Sequence, residues 1–295
     1  MTTTIGIIGA GAIGQTVSNT ILASGIADRL LLTSRTLVQS QALTDDLADM
    51  RTATGSATVP SACRPEDTIG AAALIIAIRE RFTNDNRTDI RMAGAEANAR
   101  AIRHLGHRLR GYPGTVLIVT NPVDLMTRLF AEASGCAQVY GIGSNLDTAR
   151  YRHILSTLLG VSADEIQGHV IGEHGDSAVI CASTTTVNGQ AVAIPVRDIR
   201  ETLAHRPGLI SSGVGRTRSG PAGVVLTTLR LVLGRADGTT ELCTEWNGHW
   251  LGVPVTFTAG RGEAALPALN STEADRFTAS GTKLDTAYQN LATIH

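Results

Sequence analysis

The sequence predicts an α/β protein, with a doubly wound parallel sheet followed by an α+β domain. Short apolar runs alternate with helix-length segments through the first half of the chain. After about Gly143 the pattern changes to strands that are punctuated by Gly and Asn. Alternating strands and helices are typical of a parallel sheet that helices cover on both faces. We therefore expect one domain over residues 1–142 and a second over 143–295.

The strands of the first domain are predicted from its apolar runs. These runs are "TIGIIG", "RLLLT", "ALIIAI" and "TVLIVTN". Helices are predicted from about Gly14, through "LVQSQALTDDLADM", and from about Thr88. Strands and helices thus follow one another in the order that a doubly wound sheet requires.

The second domain begins with a helix in "LDTARYRHILSTLLG". Antiparallel strands are predicted in "HVIGEHGDSAVICASTTTVNG" and "WLGVPVTFTAG", where Gly and Asn mark turns. A last helix is predicted behind a Ser271 cap, with Gly281 as its weak point. Its apolar residues recur near helical spacing: Phe277, Leu284, Tyr288 and Leu291.

Composition limits the classes of partner. The chain has 295 residues, is 43% hydrophobic and carries a net charge of −1. Without clustered Lys and Arg we expect no nucleic-acid partner. Apolar runs such as "AAALIIAI" are too short to span a bilayer, and no signal-like segment precedes the first strand. The four cysteines form no C-x-x-C pair, so we expect reduced thiols in a cytoplasmic protein whose partners are small molecules.

A glycine-rich turn joins the first strand to the first helix. In "GIIGAGAIG", Gly9, Gly11 and Gly14 form G-x-G-x-x-G, with Ala12 and Ile13 inside the turn. The first glycine permits the tight turn, the second lets a pyrophosphate approach, and the third lets the helix pack on the strand. This context predicts a Rossmann-type site for a dinucleotide.

The tip of the second strand bears on the choice of dinucleotide. Where an acid would bind ribose hydroxyls, the sequence has Thr33, Ser34 and Arg35. Hydroxyls and a guanidinium suit a 2′-phosphate, which Arg binds through charge-assisted hydrogen bonds. We therefore expect NADP, with NAD as the alternative if Arg35 is only a solvated surface residue.

Four polar clusters follow the glycine turn. Asn121 ends a strand, and Asp147 and Arg150 share one helix face at i, i+3. His174 lies in a glycine-flanked turn, and Arg91 follows a long polar stretch. Each has an ordinary structural explanation when it is taken alone. Their order after a dinucleotide turn favours a shared cleft.

At these clusters the chain resembles the L-lactate/malate dehydrogenase family. The specific motifs are "GIGSNLDTARYR" and "IGEHGDS", supported by "TNPVDL" and "GVPV". The resemblance implies hydride transfer between a nicotinamide and a 2-oxo acid or 2-hydroxy acid. It implies a homodimer or homotetramer without a resident metal.

The resemblance also implies roles for the polar residues. His174 would be the acid/base, Asp147 its orienting carboxylate and Arg150 the group that binds the substrate carboxylate. Arg91 would polarise the carbonyl, and Asn121 would add a hydrogen bond. The chemistry calls for the same residue types, because a protonated imidazole can donate to the developing oxyanion at neutral pH.

The far end of the substrate is the point where the sequence departs from the family. The stretch "RERFTNDNRTD" lacks the usual K-P-G loop sequence, and Arg81 or Arg87 could read a second carboxylate there. An ungapped count back from Arg91 instead gives Asp85, and Ala222 suggests an apolar wall. We therefore expect a 2-oxo monocarboxylate, with a dicarboxylate as in malate dehydrogenase as the alternative.

Two other functions would require different features of the sequence. A nicotinamide-dependent glycosidase would need metal ligands, for which His104 and His107 at i, i+3 are the nearest pair. A non-catalytic NADP-binding sensor would not need His174, Asp147 and Arg150 together.

Overall fold

The fold is described from a computed structural model, which describes residues 2–81 and 94–292. Six parallel strands form the centre of the sheet, in the order β3-β2-β1-β4-β5-β6. They are β1 (Thr4–Ile8), β2 (Arg29–Thr33), β3 (Val59–Ala62), β4 (Ala73–Ile76), β5 (Thr115–Ile118) and β6 (Val139–Ile142).

Both faces of this parallel sheet are buried, as the sequence predicts. In β1, Ile5 and Ile7 pack into one apolar cluster and Ile8 packs into the other. In β4, Leu74 and Ile76 lie on the Ile8 side. Since successive strand residues point to opposite faces, apolar runs of this kind need helices on both sides.

Among the described residues, eight α-helices have the following bounds: α1 (Ala12–Ser24), α2 (Leu37–Thr54), α3 (Ala95–Arg108), α4 (Val123–Ser134), α5 (Ser144–Leu159), α6 (Val196–Val214), α7 (Ser219–Val232) and α8 (Ser271–Ala292). The helix expected from about Thr88 begins, within the described residues, only at Ala95. Gly94 before it has φ of +90°, a left-handed conformation outside the helical range.

The second half of the chain adds five two-residue strands and a three-stranded extension of the main sheet. The short strands are β7 (Ile166–Gln167), β8 (Val170–Ile171), β9 (Val179–Ile180), β10 (Thr186–Val187) and β11 (Gln190–Ala191). The extension is β12 (Gly238–Trp246), β13 (His249–Thr258) and β14 (Arg261–Ala264). β12 joins β6 antiparallel, pairing Leu242 with Ile142, so both halves contribute to one sheet, which has nine strands in the described residues.

The last helix corrects one expectation and refines another. Asn270, not Ser271, caps α8: its side chain accepts the Glu273 N–H at 2.9 Å, and the Glu273 carboxylate accepts the Asn270 N–H at 3.1 Å. Gly281 lies where a Cβ would come within 3.2 Å of the His249 ring, so this glycine allows close packing. The predicted stripe is buried at Leu284, Tyr288 and Leu291.

The described residues also bear on the class of protein. All four cysteines are free thiols. Across residues 2–81 and 94–292, no helix is both long and apolar enough to cross a membrane.

Candidate active site

A cleft of about 320 Å³ opens at the carboxyl ends of β1, β4 and β5. In open α/β sheets, ligands bind at this edge. The glycine turn, the ends of β4 and β5, α5, the turn after β8 and the α6–α7 connection all reach it. Its lining includes Gly11, Ala12, Ile13, Arg79, Asn121, Leu146, Arg150, His174, Arg216 and Pro221.

A histidine and an aspartate form a buried polar contact in this cleft. His174 Nδ1 lies 2.6 Å from Asp147 Oδ2, and the two side chains are only 8% and 10% exposed. A carboxylate on Nδ1 favours the tautomer with its proton there, which turns the other ring nitrogen towards the cleft. The ring lies against Gly143, where a Cβ would come within 2.6 Å of His174 Cγ.

Arg150 completes this constellation from the same helix as Asp147. Its terminal nitrogen lies 3.4 Å from Asp147 Oδ1, and the arginine also lines the cleft. The i, i+3 spacing on α5 places both side chains on one face, as expected. The structure therefore brings together Asp147, Arg150 and His174.

The turn that carries His174 is fixed by an ion pair between a buried glutamate and a half-exposed lysine. Glu173 is 3% exposed, and the Lys283 ammonium of α8 donates to its two oxygens at 2.6 and 2.9 Å. The Ser177 N–H donates to the same carboxylate at 3.0 Å. Burial raises the pKa of Glu173, but the bonds from Lys283 and Ser177 outweigh burial and lower it overall.

The glycine turn has the geometry that a dinucleotide needs. Gly9 has φ of +124°, and a Cβ there would meet the Ala77 carbonyl oxygen at 2.4 Å. A Cβ on Gly14 would lie 1.7 Å from the Gly9 carbonyl oxygen, so this position needs glycine for helix-to-strand packing. No described atom lies within 4 Å of a Cβ built on Gly11. The N-terminus of α1 is therefore open to a pyrophosphate, and the residues present fit the cofactor.

The three residues that were predicted at the tip of β2 differ in burial and in hydrogen-bond partners. Thr33 is 3% exposed, and its hydroxyl donates to the Cys63 carbonyl at 3.1 Å. It therefore offers no free donor to a phosphate, contrary to expectation, because it belongs to the buried part of the strand. Ser34 is half-buried and Arg35 is exposed; the Ser34 hydroxyl donates to Gln39 Oε1 at 3.0 Å.

Arg35 forms an ion pair that the sequence did not indicate. Its guanidinium lies 3.2 Å from the Glu80 carboxylate, with side chains 56% and 40% exposed. The backbone N–H of Glu80 in turn donates to Asn98 Oδ1 at 2.8 Å, and the Asn98 amide donates to the Asn121 carbonyl at 2.8 Å. Asn98 and Glu80 thus connect the tip of β2 with the end of β5.

The remaining predicted substrate residues lie in or beside a gap in the description. Arg87 and Arg91, together with Asp85, lie outside the described residues. Arg81 is exposed and does not appear among the described residues that line the cleft.

The expectation that Ala222 forms an apolar wall of the cleft is wrong. Ala222 is 2% exposed, because its side of α7 packs into the apolar core. Of the described residues in this stretch, the cleft is lined by its neighbour Pro221.

Two arginines that sequence reasoning missed also line the cleft. Arg79 follows β4, and Arg216 lies in the α6–α7 connection. Burial and the neighbouring positive charge of Arg216 lower the pKa of Arg79. Position after a central strand was the one signal that could have identified Arg79.

The possible metal ligands lie apart from the cleft. His104 and His107 are on α3, and neither is among the described cleft residues. Within residues 2–81 and 94–292, no group of three or more His, Cys, Asp or Glu side chains is arranged to hold a metal.

Comparison with known protein families identifies the family of this chain. A sequence profile described as "lactate/malate dehydrogenase, NAD binding domain" matches residues 3–143. The "alpha/beta C-terminal domain" of the same family matches residues 144–204. The chain belongs to the lactate/malate dehydrogenase family. The resemblance seen in its motifs is therefore confirmed.

Curated relatives in this family include several L-lactate dehydrogenases. That of Deinococcus radiodurans is 32% identical over 191 residues, which is 64% of this chain and 62% of the relative. That of Treponema denticola is 32% identical over 190 residues, 63% of this chain and 59% of the relative. That of Allorhizobium ampelinum is 31% identical over 232 residues, which is 73% of this chain and 74% of the relative. The chain thus spans about three-fifths of the first two relatives.

Solved structures share the fold over the full chain. A lactate dehydrogenase from a Medee basin deep-sea metagenome library has a TM-score of 0.90 at 20% identity, covering 99% of this chain and 100% of its own. Cryptosporidium parvum malate dehydrogenase has a TM-score of 0.89 at 23% identity and full coverage of both chains. The predicted fold class, a Rossmann-type sheet followed by an α+β part, is confirmed.

Proposed function

We propose that this protein is a 2-hydroxy acid dehydrogenase that uses NADP(H), with NAD(H) as the alternative cofactor. The observation that carries the proposal is the cleft itself, which is lined by His174 and Arg150 together with the open glycine turn. Asp147 bonds to both His174 and Arg150. A structural ion pair would not need to line a cleft beside a dinucleotide turn.

His174 is the proton donor in this proposal. When bound, the nicotinamide supplies the hydride that reduces the carbonyl carbon of the substrate. The carbonyl oxygen gains negative charge at the same time, and a protonated His174 facing the cleft transfers its proton to that oxygen. Asp147 holds the ring and stabilises its positive charge through Nδ1, 2.6 Å away.

Arg150 binds the substrate carboxylate. Its planar guanidinium can make two parallel hydrogen bonds, which orient the reacting carbon towards the nicotinamide. Asp147 Oδ1 accepts from this guanidinium at 3.4 Å, so Asp147 contacts both Arg150 and His174. Asn121, exposed at the cleft, adds a hydrogen-bonding group. Arg91 keeps its predicted role as the residue that polarises the carbonyl.

We propose that Arg35 and Ser34 make the protein prefer NADP(H) over NAD(H). An exposed ion pair such as Arg35–Glu80 contributes only about 0–1 kcal/mol. A 2′-phosphate carries more negative charge and accepts charge-assisted bonds, so it can displace Glu80 from the guanidinium. Glu80 would at the same time disfavour the phosphate by repulsion, which makes its charge a second determinant of the preference.

A substrate with a second acidic group is favoured over the expected monocarboxylate. The monocarboxylate rested partly on Ala222, which is buried in the core. Arg79 and Arg216 instead place positive charge along the cleft, in addition to Arg150. A buried second carboxylate is costly unless it is paired, so these arginines support a dicarboxylic 2-oxo acid. Arg81 and Arg87 remain the other candidates for reading it.

The competing functions predict different behaviour. A sensor would bind NADPH without turnover, and a glycosidase would need a metal. The family match favours the dehydrogenase over both. We also propose that the protein is a homodimer or homotetramer in the cytoplasm. Its first domain would end at residue 142, and its second would begin at residue 143.

The test is an oxidation assay with both cofactors. Purified protein is mixed with NADPH or NADH and a panel of 2-oxo acids, including pyruvate, its larger alkyl analogues and oxaloacetate. We expect absorbance to fall with NADPH, faster with oxaloacetate than with pyruvate. Arg216→Ala and Arg79→Ala should lower kcat/KM for oxaloacetate more than for pyruvate. Binding of NADPH without turnover on any 2-oxo acid would overturn the proposal.

A further inference from the structure

The carboxylate next to the proposed proton donor is enclosed beneath its own turn. Glu173 directly precedes His174 in the chain and is buried. A Cβ built on Gly175 would come within 2.6 Å of Glu173 Cδ, so this glycine leaves room for the carboxylate to fold back under the turn. The turn that carries His174 therefore closes around a charged group.

Helix α8 holds this turn from behind. The Ser280 hydroxyl accepts the Glu173 backbone N–H at 2.7 Å, and the Lys283 ammonium donates to both carboxylate oxygens at 2.6 and 2.9 Å. Gly172 has φ of +81°, and a Cβ there would lie 2.9 Å from Ser280 Oγ, so this glycine allows the close approach. Ser280 and Lys283 share one face of α8 at i, i+3, and neither is among the described residues that line the cleft.

Lys283 supplies the positive charge that this burial requires. A buried carboxylate is costly unless it is hydrogen-bonded and paired with a cation. A second buried carboxylate, that of Asp124 in α4, accepts the His174 backbone N–H at 2.8 Å, and its charge repels that of Glu173. Loss of the Lys283 ammonium would therefore leave two like charges against the turn that carries His174.

We propose that Lys283 is a positioning residue, which holds the His174 ring in place by pairing with the Glu173 carboxylate beneath the turn. The effect of Lys283 on turnover rests on the proposed function. Its effect on the His174 ring does not, because the contacts of that ring with Asp147 require neither cofactor nor substrate.

The direct experiment observes the His174–Asp147 hydrogen bond by NMR in cofactor-free protein. A proton held between Nδ1 and a carboxylate is protected from exchange with water, and the His174 signal is assigned by its loss in His174→Gln. We expect the signal to broaden or disappear in Lys283→Met and to persist in Lys283→Arg, which keeps the charge. His169, whose Nδ1 lies 2.5 Å from Glu241, is an internal reference. A His174 signal in Lys283→Met that matches wild type overturns the inference.

A second ion pair of α8 provides the matched control. Arg128 of α4 lies 2.9 Å from Asp285, and neither residue lines the cleft in the part of the chain that the structure describes. Arg128→Leu should therefore loosen α8 while the His174 signal persists. Equal loss of the signal in Arg128→Leu and Lys283→Met would mean that any loosening of α8 is sufficient, and would overturn the assignment of Lys283.

The pH dependence of stability separates charge from packing. Burial raises the pKa of Glu173, but the bonds from Lys283 and Ser177 lower it overall, so the ionised carboxylate favours folding and this stabilisation is lost only as pH falls. In Lys283→Met burial should dominate, so the melting temperature should fall further below wild type at about pH 8 than at about pH 5.

The double variant Glu173→Gln/Lys283→Met has no carboxylate to ionise beneath the turn. It should therefore differ from wild type by the same melting temperature at both pH values. A deficit in Lys283→Met that is the same at both pH values would show a packing role alone and contradict the proposal.

Turnover tests the functional consequence separately. In active wild type, Lys283→Met should lower kcat by about 10- to 100-fold, as for a small displacement of a catalytic group. KM for NADPH should change little, and Lys283→Arg should recover most of kcat. Unchanged kcat in Lys283→Met overturns the inference.

Two further outcomes are decided in the same way. If wild type reduces no 2-oxo acid, the proposed function fails, while the NMR comparison still decides the role of Lys283. If Lys283→Met does not fold, Glu173→Gln/Lys283→Met decides, because removal of the buried charge should restore folding. A double variant that also fails to fold overturns the inference.

Discussion

The part of the chain that the structure describes contains two triads of histidine, aspartate and arginine, and only one of these two lies in the cleft. In the first, Asp147 binds His174 at 2.6 Å and Arg150 at 3.4 Å. In the second, Asp285 of α8 binds His249 of β13 at 2.6 Å and Arg128 of α4 at 2.9 Å. The hydrogen-bond geometry alone does not distinguish them.

Their surroundings do distinguish them. The Arg128 guanidinium also binds Glu132 at 2.9 Å and stacks on the Tyr288 ring, 3.9 Å from its centroid, so it helps to hold α8 against α4. The His249 side chain is 41% exposed, against 8% for His174. Arg150 and His174 instead face a cleft beside an open glycine turn. A triad therefore supports a catalytic role only when its outer members face space that a substrate can fill.

The largest expected effect tests the two histidines against each other. His174→Gln should lower kcat by about 10²- to 10⁴-fold, because it removes general acid catalysis. His249→Gln is the matched control and should leave kcat nearly unchanged. Steady-state rates together with NADPH binding, measured by fluorescence titration, check this. Near-normal turnover in His174→Gln, or an equal loss in both variants, would break the comparison.

The two arginines should differ in kind as well as in size. Arg150→Leu should raise KM and lower kcat/KM, since each charge-assisted bond to the substrate contributes about 1.5–3 kcal/mol. Arg128→Leu should instead lower the melting temperature with little change in kcat/KM, because its partners all belong to the protein. Kinetics and thermal denaturation of both variants separate the roles. An Arg150 variant with normal kcat/KM would contradict them.

A smaller effect is expected where an arginine pairs with a carboxylate at the exposed tip of β2. Ser34→Asp with Arg35→Ala should shift cofactor preference towards NADH, by about 1.5–3 kcal/mol for each charge-assisted bond lost. The ratio of kcat/KM for NADPH and NADH measures this shift. Wild type that used NADH as well as NADPH would be inconsistent with the assignment of Arg35.

The smallest effect concerns Glu80. Glu80→Gln should tighten NADPH binding by about 1 kcal/mol or less, because it removes a weak exposed competitor for Arg35. NADH binding should barely change, and Glu132→Gln serves as a distant control. Dissociation constants for both cofactors at low and high salt test this, since added salt should reduce the difference. Weaker NADPH binding in Glu80→Gln would mean that Glu80 supports the site.

Local spacing explains which parts of the site the sequence could predict. Asp147 and Arg150 are three residues apart on one helix, and the glycines around His174 mark its turn. Such patterns depend only on helix and turn geometry. The alternation of apolar runs predicted β1, β2, β4 and β5 for a similar reason.

The parts that were missed depend on contacts between distant segments. Asp124 lies 50 residues from His174. Lys283 lies 110 residues from Glu173. No spacing along the chain indicates either contact. The addition of β12 to the edge of β6 is equally non-local.

Which face a residue occupies was the other source of error. Thr33 and Ala222 both belong to stretches that reach the site, yet each side chain turns into the buried side of its element. A one-residue difference in strand or helix register reverses such an assignment. Asn270 rather than Ser271 as the cap of α8 is a displacement of the same size.

The most direct test of the central claim follows the transferred hydrogen. Wild-type protein is incubated with NADPH deuterated at the reactive ring carbon and with a 2-oxo acid, and the product is analysed by mass spectrometry. The account predicts a 2-hydroxy acid with deuterium on the carbon that was the carbonyl, formed by wild type and His249→Gln and almost absent with His174→Gln. Unlabelled product, or bound NADPH with no 2-hydroxy acid formed, would contradict it.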